Sequence, residues 1–351
     1  MISLSGIEKT YRVRGKALSE SVHALRGVDL EIPEGSAISI IGESGCGKST
    51  LGRILAGIEQ PTAGTFAVNG ENIDSFNAKH RRDFFRGVQL IHQDPYSALN
   101  PVRTIYDILI DVLHLHARIA DKDADWPQRR LLEILNLVGL DPEYVLPRYP
   151  HQLSGGMRQR IVIARALAVD PKVLVADEAV SMIDVSLRLG VLRLLRTLRS
   201  ELGISVVFIT HDLASARYIG QDSTVVVLYR GSIVERGPSD TVVSQAPLHP
   251  YTQALLSAIP VLRGLESKAP VQVVPTGILD ERNDDTGCLF APRCPFAQPV
   301  CFTGRPPLAV PGKDSGFGAA DHEVACLFPQ IRQVVPLRSD VAADSGKEAV
   351  A

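Results

Sequence analysis

The residues that could do chemistry begin with a glycine-rich loop between an apolar run and a helix. The loop reads Gly42-Glu43-Ser44-Gly45-Cys46-Gly47-Lys48-Ser49-Thr50 and follows Ala37–Ile41, which predicts a buried strand. Glycines allow positive φ, so that consecutive N–H groups can converge on phosphate oxygens at a helix N-terminus. Lys48 would face the β- and γ-phosphates, and the Ser49 hydroxyl would bind Mg²⁺. The pattern therefore predicts a triphosphate site, and a plain glycine-rich turn is the alternative interpretation.

Polar side chains also follow several later apolar runs, each of which predicts a strand. These residues are Gln93, Asp177, Glu178 and His211. Because parallel strands end at a common edge of their sheet, we expect these side chains to lie beside the phosphate loop. There Asp177 could bind Mg²⁺, Glu178 could polarise a water, and Gln93 could reach either one. The alternatives are a simple strand terminus at Gln93 and a structural role for His211.

A second glycine-rich stretch begins a helical pattern, Leu153-Ser154-Gly155-Gly156-Met157-Arg158-Gln159-Arg160. Ser154 is a favourable N-cap residue. Two glycines in the first turn cost roughly 1–2 kcal/mol of helix stability relative to alanine. The free N–H groups and the positive end of the helix dipole favour an anion there. We therefore predict a second phosphate contact, with a plain turn as the alternative.

Length and composition limit the classes of protein that this chain can belong to. With 351 residues, 45% of them hydrophobic and 22% charged, it is long enough for about two globular domains. A net charge of −2 gives no overall field that favours nucleic acid. Apolar runs such as Val225–Tyr229 are far shorter than the roughly 20 residues of a membrane span. Met1–Gly6 lacks the features of a secretion signal, so none is predicted.

The remaining patterns predict an α/β fold with two added subdomains. Short apolar alternation from Ile2 to Gly35 predicts antiparallel hairpins, in which Tyr11 could stack on a purine or simply pack. Spacings of three and four residues predict helices over about 102–168. A later helix places Leu187 and several other leucines on one face, which predicts that this face is buried.

Four of the five cysteines lie close together near the end of the chain. They are Cys288, Cys294, Cys301 and Cys326. Five, six and twenty-four residues separate them in loops rich in proline and glycine, and in a cytosolic protein such a cluster favours a metal over disulfides. Four thiolates could bind zinc or an iron–sulfur cluster. Unpaired buried thiols are the alternative.

Taken together, the order of these motifs resembles the ATP-binding-cassette (ABC) ATPases. The corresponding motifs are Tyr11 for the A-loop, Gly42–Thr50 for Walker A, Gln93 for the Q-loop, residues 153–159 for the signature, Asp177 and Glu178 for Walker B, Asp184 for the D-loop and His211 for the switch. The resemblance covers about residues 1–260. It implies a P-loop NTPase (RecA-like) core with an antiparallel β subdomain and an α-helical subdomain.

The resemblance also implies a role for each of these residues. Tyr11 would stack on adenine, Glu178 would be the general base, His211 would contact the γ-phosphate, and Gln93 would link the nucleotide to the helical region. Two chains would form a head-to-tail dimer, in which Ser154–Gly156 of one chain contact the γ-phosphate bound by the other. The implied nucleotide contacts are Tyr11, Gly42, Ser44, Gly45, Cys46, Gly47, Lys48, Ser49, Thr50, Gln93, Ser154, Gly155, Gly156, Gln159, Asp177 and Asp184. The implied Mg²⁺ ligands are Ser49, Gln93 and Asp177.

The sequence departs from the family pattern after Walker B. The family usually has proline after the glutamate and Ser-Ala-Leu-Asp in the D-loop, where this chain has Ala179 and Ser181-Met182-Ile183-Asp184. Both acids of Walker B and Asp184 are present, so we expect ATP hydrolysis.

The C-terminal region narrows the resemblance to ATPases of oligopeptide and dipeptide importers. Residues 231–260, with Pro247–Thr252, resemble the extension of those subunits, as does Gly287–Phe296 followed by Cys301 and Cys326. In related subunits such an extension carries a 4Fe–4S cluster. We expect the same cluster here, with zinc as the alternative.

These expectations combine into one description of the chain. Residues 1–245 form the ATPase domain, with a helical subdomain at about 95–168; residues 246–336 form a small cysteine-containing extension, and 337–351 a disordered tail. The resemblance implies the ATP- and Mg²⁺-dependent subunit of a peptide importer on the cytoplasmic face of the cell membrane. Its partners would be a second ABC ATPase subunit, two permeases and an external solute-binding protein, without nucleic acid.

Three other functions are alternatives to peptide import. The nearest is an importer of nickel chelates or oligosaccharides, because these share the extension. The second alternative belongs to a different functional class and is a soluble ABC ATPase that acts on nucleic acid or ribosomes. The third is a degenerate subunit that binds ATP without turnover, against which Glu178 argues.

Overall fold

The computed structural model describes residues 1–12, 21–219, 223–245, 247–257, 272–274, 286–311, 321–329 and 334–336. The strands are β1 Ile2–Tyr11, β2 Val22–Ile32, β3 Ala37–Ile41, β4 Ala63–Val68, β5 Glu71–Asn72, β6 Val88–Ile91, β7 Val173–Asp177, β8 Ser205–Thr210, β9 Thr224–Tyr229, β10 Ser232–Pro238, β11 Gln272–Val274, β12 Glu323–Val324 and β13 Val334–Pro336. The α-helices are α1 Lys48–Leu55, α2 Ala78–Arg86, α3 Pro95–Ala98, α4 Ile105–Ile119, α5 Trp126–Leu137, α6 Pro142–Val145, α7 Gly155–Leu167, α8 Val185–Leu202, α9 Leu213–Ile219 and α10 Pro250–Ser257. The predicted tail at 337–351 lies outside the described residues.

A seven-stranded sheet in the order β12-β10-β9-β3-β8-β7-β6 forms the centre of the fold. The five strands from β9 to β6 in that order are parallel, and β10 and β12 continue the sheet in antiparallel pairs. Ile41 pairs with Thr210, and Asp177 pairs with Ile209. This register brings the ends of β3, β7 and β8 to one edge, as predicted for the polar residues that follow them.

Side chains alternate between the two faces of this sheet, and both faces are covered. Leu174 and Ala176 of β7 belong to a hydrophobic cluster formed with α4, α5, α7 and α8. Val173 and Val175 belong to a second cluster, formed with α1 and with β1 and β2. Burial on both faces explains why the parallel strands read as continuous apolar runs.

The small antiparallel sheet predicted ahead of the phosphate loop is present. Its order is β2-β1-β4-β5. Val22–Ile32 is one continuous strand, which pairs with β1 from Ile2 opposite Ile32 to Tyr11 opposite Val22. β1 and β2, which follow each other in the sequence, therefore form the predicted antiparallel hairpin, and β4 pairs with the other edge of β1.

The predicted helical region is present as α4, α5 and α7. Thr104 and Asp107 form a capping box at the start of α4: Thr104 Oγ1 accepts from Asp107 N at 3.2 Å, and Asp107 Oδ2 accepts from Thr104 N at 3.4 Å. Within the described ranges, no helix combines the length and the apolar character needed to span a bilayer.

A buried carboxylate joins the C-terminal extension (residues 246–336) to the central sheet. Glu235 of β10 is fully buried and accepts from Leu248 N at 2.7 Å, from His249 N at 3.1 Å and, through Oε1, bonds His322 Nε2 at 2.8 Å. His322 lies just before β12, which pairs with β10. One side chain therefore connects β10 to the start of the extension, 13 positions away, and to His322, 87 positions away.

Replacing Glu235 with alanine would leave two backbone N–H groups and an imidazole buried without this acceptor. We expect Glu235→Ala to lower the free energy of unfolding by about 3–5 kcal/mol. Chemical denaturation followed by circular dichroism measures the change. The control is Glu323→Ala, which removes a partly exposed partner of Arg236 and should cost about 1 kcal/mol or less. Equal losses in the two variants would contradict the role given to Glu235.

Candidate functional site

The phosphate loop, defined as Gly42–Thr50, is held tightly against neighbouring backbone. Gly47 is the N-cap of α1 with φ of 107°, and a Cβ there would lie 2.3 Å from Ala24 O. A Cβ on Gly42 would lie 2.3 Å from Leu228 O. Positive φ at one position and close approach at both require glycine, which is why the motif keeps glycines at these spacings.

Lys48 lies within the loop, and its ammonium group is positioned by backbone carbonyls. Its side chain is 5% exposed, and Nζ donates to Gly42 O and to Glu43 O, each at 2.8 Å. Burial raises the pKa of the neighbouring Cys46 thiol, against the opposing effect of Lys48. The loop therefore presents one fixed positive charge next to a neutral thiol.

Ser49 and Asp177 meet at the carboxyl edge of the sheet. Ser49 Oγ donates to Asp177 Oδ1 at 3.1 Å, and Asp177 is 8% exposed. Burial raises the pKa of Asp177, and the hydrogen bond from Ser49 acts in the opposite direction. A hydroxyl and a carboxylate are oxygen ligands that suit Mg²⁺, so this donor pair fits the predicted ion.

Gln93 and His211 both contact the carboxylate of Glu178. Gln93 Nε2 donates to Oε2 at 2.9 Å, and His211 Nδ1 lies 3.4 Å from Oε1. The structure thus brings together three residues that lie far apart in the sequence. Gln93 differs from its prediction in one respect, since β6 ends at Ile91 and Gln93 lies in the loop beyond it.

The backbone of Glu178 has φ of 48°, in the left-handed region. Residues other than glycine are uncommon there, and such strained positions concentrate at functional sites. The Glu178 amide donates to Ile209 O at 2.9 Å, which anchors this conformation to β8. The sheet therefore determines the orientation of the Glu178 carboxylate.

Tyr11 lies at the rim of the phosphate loop. Its hydroxyl is 3.5 Å from Thr50 Oγ1, and Lys9 Nζ is 5.2 Å from the ring centroid. Partial burial raises the pKa of Tyr11. The ring is half-buried.

The glycine-initiated helix α7 begins as predicted. Ser154 Oγ accepts from Met157 N at 3.3 Å. A Cβ on Gly156 would lie 3.1 Å from Leu187 Cδ1, whereas the nearest atom to a Cβ on Gly155 is Met182 O at 3.8 Å. Across the described residues, no hydrogen bond or ion pair joins Ser154, Gly155 or Gly156 to the phosphate loop of the same chain.

Gln159 is one of the predicted nucleotide contacts. Its side chain is 0% exposed, because it lies on the face of α7 that packs inward. Asp184 is exposed at the start of α8, as a surface contact requires. Of the residues that depart from the family pattern, Ala179 and Ile183 are buried and Met182 is 59% exposed.

All four C-terminal cysteines line one small cavity together with Phe290 and Phe296. Cys288 N donates to Cys301 O at 2.8 Å. Burial raises the pKa of the Cys288 thiol, opposed by N–H groups of Phe290 and Ala291 that donate to it. In the described part of the chain, however, no group of three or more His, Cys, Asp or Glu is arranged to hold a metal ion. Cysteine thiols are chemically suited to bind a metal as thiolates, but here they are not arranged as a preformed metal site.

The phosphate loop contacts the extension in a way that the sequence did not predict. Arg293 Nη1 and Nη2 donate to Glu43 Oε2 and Oε1 at 2.7 and 2.9 Å, and Tyr251 Oη accepts from Glu43 N at 2.7 Å. The partners are 250 and 208 positions apart. No local pattern links such residues, and covariation in an alignment is the signal that would have found them.

Comparison with known proteins decides the family. The family model described as "ABC transporter" matches residues 25–181, and "Oligopeptide/dipeptide transporter, C-terminal region" matches residues 234–301. The dipeptide transport ATP-binding protein DppF of Haemophilus influenzae is 40% identical over 311 residues, which cover 88% of this chain and 92% of that protein. The chain belongs to the ABC transporter family. The oligopeptide transport ATP-binding protein OppF of Salmonella typhimurium is 39% identical, covering 88% of each chain.

The fold agrees with this family. The solved dimeric structure of the ATP-binding cassette MJ0796, in a post-hydrolysis state with ADP and Pi, has a TM-score of 0.59 and 30% identity. It covers 68% of this chain and 99% of that cassette. The predicted fold class is confirmed, and the chain is an ATP-binding, ATP-hydrolysing ABC transporter subunit that uses Mg²⁺. The alternative function as a soluble, non-transport ABC ATPase is not favoured.

The close packing of Gly42 gives a test of the loop. A Cβ in Gly42→Ala would also lie 2.7 Å from Cys46 Sγ, so the loop must shift. A shifted loop would lose hydrogen bonds to the phosphates. Charge-assisted hydrogen bonds contribute about 1.5–3 kcal/mol each, so the loss of one should lower MgATP affinity by about tenfold or more. Isothermal titration calorimetry measures the affinity.

The matched control is Gly304→Ala, which adds the same methyl group outside the nucleotide site, where the nearest atom is Val300 O at 3.5 Å. This variant of the isolated chain should bind MgATP with unchanged affinity and keep its melting temperature. Unchanged affinity in Gly42→Ala would contradict the packing argument.

Proposed function

We propose that this chain is the ATP-hydrolysing subunit of an ABC importer for di- and oligopeptides. The single observation that carries the substrate class is the match of residues 234–301, beyond the cassette, to the C-terminal region of oligopeptide and dipeptide transporters. The names of DppF and OppF support the same class. The subunit would work at the cytoplasmic face of the cell membrane with a second ABC ATPase subunit, two permeases and a solute-binding protein.

We propose the following roles for the residues that face the nucleotide. Lys48 binds the β- and γ-phosphates, and Tyr11 stacks on adenine. Ser49 and Asp177 hold Mg²⁺, which when bound neutralises charge on the phosphates. Gln93, in the loop after β6, is a third candidate ligand and lies between Glu178 and the helical subdomain.

Glu178 is the proposed general base. Among the described residues, each carboxylate oxygen has one partner, Gln93 at Oε2 and His211 at Oε1, which leaves a lone pair on each for a water molecule. The side chain is 18% exposed, which leaves a path for that water. His211 is 59% exposed and can also reach a γ-phosphate.

A second subunit would complete the site. The first N–H groups of α7 have no acceptors within their helix. Ser154 is exposed, and the similar MJ0796 cassette was solved as a dimer. We therefore propose that Ser154, Gly155 and Gly156 contact the γ-phosphate bound by the other subunit, with Asp184 beside them.

We further propose a division of the chain into a cassette at 1–245, with its helical part at about 95–168, and an extension at 246–336. The burial of Glu235 against His322 and the pairing of β12 with β10 support an extension that folds onto the cassette. It would therefore move with the nucleotide site.

The proposed cofactor of the extension is a 4Fe–4S cluster bound by Cys288, Cys294, Cys301 and Cys326, with zinc as the alternative. The common cavity of these four thiols supports the proposal. Such a cluster would cross-link the loops of the extension.

Glu178→Gln removes the proposed base and keeps the shape of the side chain. We expect kcat for ATP to fall by about 10²- to 10⁴-fold while MgATP still binds. In the complex with its permeases, uptake of labelled di- and tripeptides should fall in parallel. Phosphate release and vesicle uptake measure the two effects.

The control is Glu34→Gln, at an exposed carboxylate that contacts the N-terminal amine. Both hydrolysis and uptake should stay unchanged in this variant. Unchanged hydrolysis in Glu178→Gln would contradict the role of the base. Recovery of ribosomes or nucleic acid, in place of permeases, with the purified chain would contradict the transport function.

Anaerobic purification tests the cysteine site. We expect a brown protein with iron and acid-labile sulfide in equal amounts, and loss of most of the iron in Cys301→Ser. Cys46→Ser is the matched control, since Cys46 lies in the phosphate loop, and its iron content should be unchanged. Stoichiometric zinc in a colourless protein would contradict the cluster, and absence of both metals would contradict the metal site.

A further inference from the structure

We propose that Arg293 and Tyr251 of the C-terminal extension are positioning residues for ATP binding, which act through Glu43 on Lys48. The inference rests on the proposed function, since Lys48 must bind the triphosphate for its position to matter. It assigns the extension a direct part in shaping the nucleotide site.

Glu43 uses all its polar groups in this arrangement. Its N–H donates to Tyr251 Oη at 2.7 Å, and its carboxylate accepts both guanidinium bonds from Arg293, at 2.7 and 2.9 Å. Its carbonyl accepts from Lys48 Nζ at 2.8 Å. Glu43 therefore connects the Lys48 ammonium group of the cassette to the Arg293 and Tyr251 side chains of the extension.

The two side chains of the extension are themselves fixed. Arg293 is 7% exposed, and its guanidinium lies 5.7 Å from the ring centroids of both Tyr229 and Phe290. Tyr251 is 1% exposed, with its ring centroid 4.6 Å from that of Tyr229. A planar guanidinium that binds a carboxylate through two parallel bonds also fixes its orientation. The Glu43 side chain is 42% exposed, so the contact is a partly buried, bidentate ion pair, which clamps the loop from the buried arginine side.

The position of Lys48 depends on this clamp. The Glu43 carbonyl is one of two backbone oxygens to which Nζ donates. If Glu43 were released, Lys48 and the loop would be mobile before ATP binds. ATP binding would then have to order them, and this entropic cost would make the binding free energy less favourable. The loss affects ground state and transition state alike, so KM should rise while kcat changes little.

The experiment uses the full chain with its partner subunits. Arg293→Gln should raise KM for MgATP roughly tenfold, as expected for a lost charge-assisted pair, with kcat within about twofold of the parent protein. MgATP affinity measured in a Glu178→Gln background, where turnover is blocked, should fall by the same factor. Tyr251→Phe, which removes a single hydroxyl from a buried ring, should produce a smaller loss of affinity of the same kind.

A double-mutant cycle shows whether Arg293 acts through Glu43. If it does, Glu43→Gln with Arg293→Gln should lose no more affinity than Arg293→Gln alone. Additive losses would overturn the proposal. So would unchanged affinity in both Arg293→Gln and Tyr251→Phe.

The matched control is Arg236→Gln. Arg236 Nε donates to Glu323 Oε2 at 2.6 Å, so this pair also joins the cassette to the extension, but at β10 and β12 and away from the phosphate loop. MgATP affinity should be unchanged in this variant, and an equal loss would show that general docking of the extension is responsible. If Arg293→Gln does not fold, the Tyr251→Phe and Glu43→Gln variants decide the question alone. Failure of peptide uptake in the parent complex would refute the proposed transport function. The double-mutant cycle measures MgATP affinity and would still test the role of Arg293.

Discussion

The structure depends on a single ammonium group held at the carboxyl edge of a parallel sheet. Lys48 Nζ donates to the carbonyls of Gly42 and Glu43 at 2.8 Å each, in a loop whose glycines at 42 and 47 cannot carry a Cβ without collision. A buried charge must be stabilised by nearby acceptors, and here these are backbone atoms fixed by β3 and α1. The remaining parts of the site take their positions relative to this charge.

Strand register and backbone strain place the acidic residues around it. Because Asp177 pairs with Ile209 in the sheet, the next residue, Glu178, leaves β7 beside the end of β8 and reaches His211. Its φ of 48° is sustained by the amide bond to Ile209 O. On the other side, the extension holds Glu43 through Arg293. The nucleotide site is thus bordered by the sheet, the loop and the extension together.

The sequence was enough to predict those features that depend on interactions between neighbouring residues. The strand, loop and helix around Lys48, the cap at Ser154 and the two acids at the end of β7 each follow from neighbouring residues. Leu187 was placed on the buried face of its helix but is 43% exposed beside Gly156, because periodicity does not identify the partner of a helix face. The burial of Gln159 in α7 is likewise set by tertiary packing. The φ of Glu178 and the contact of Glu43 with Arg293 arise from tertiary structure, which no window of sequence contains.

The most direct test is an experimental structure of the assembled complex with MgATP, using a hydrolysis-deficient chain. The account predicts that Ser154 Oγ of one subunit lies within hydrogen-bond distance of the γ-phosphate that Lys48 binds in the opposing site. It would be contradicted by a triphosphate enclosed by one chain alone, with Ser154 directed away from every bound phosphate.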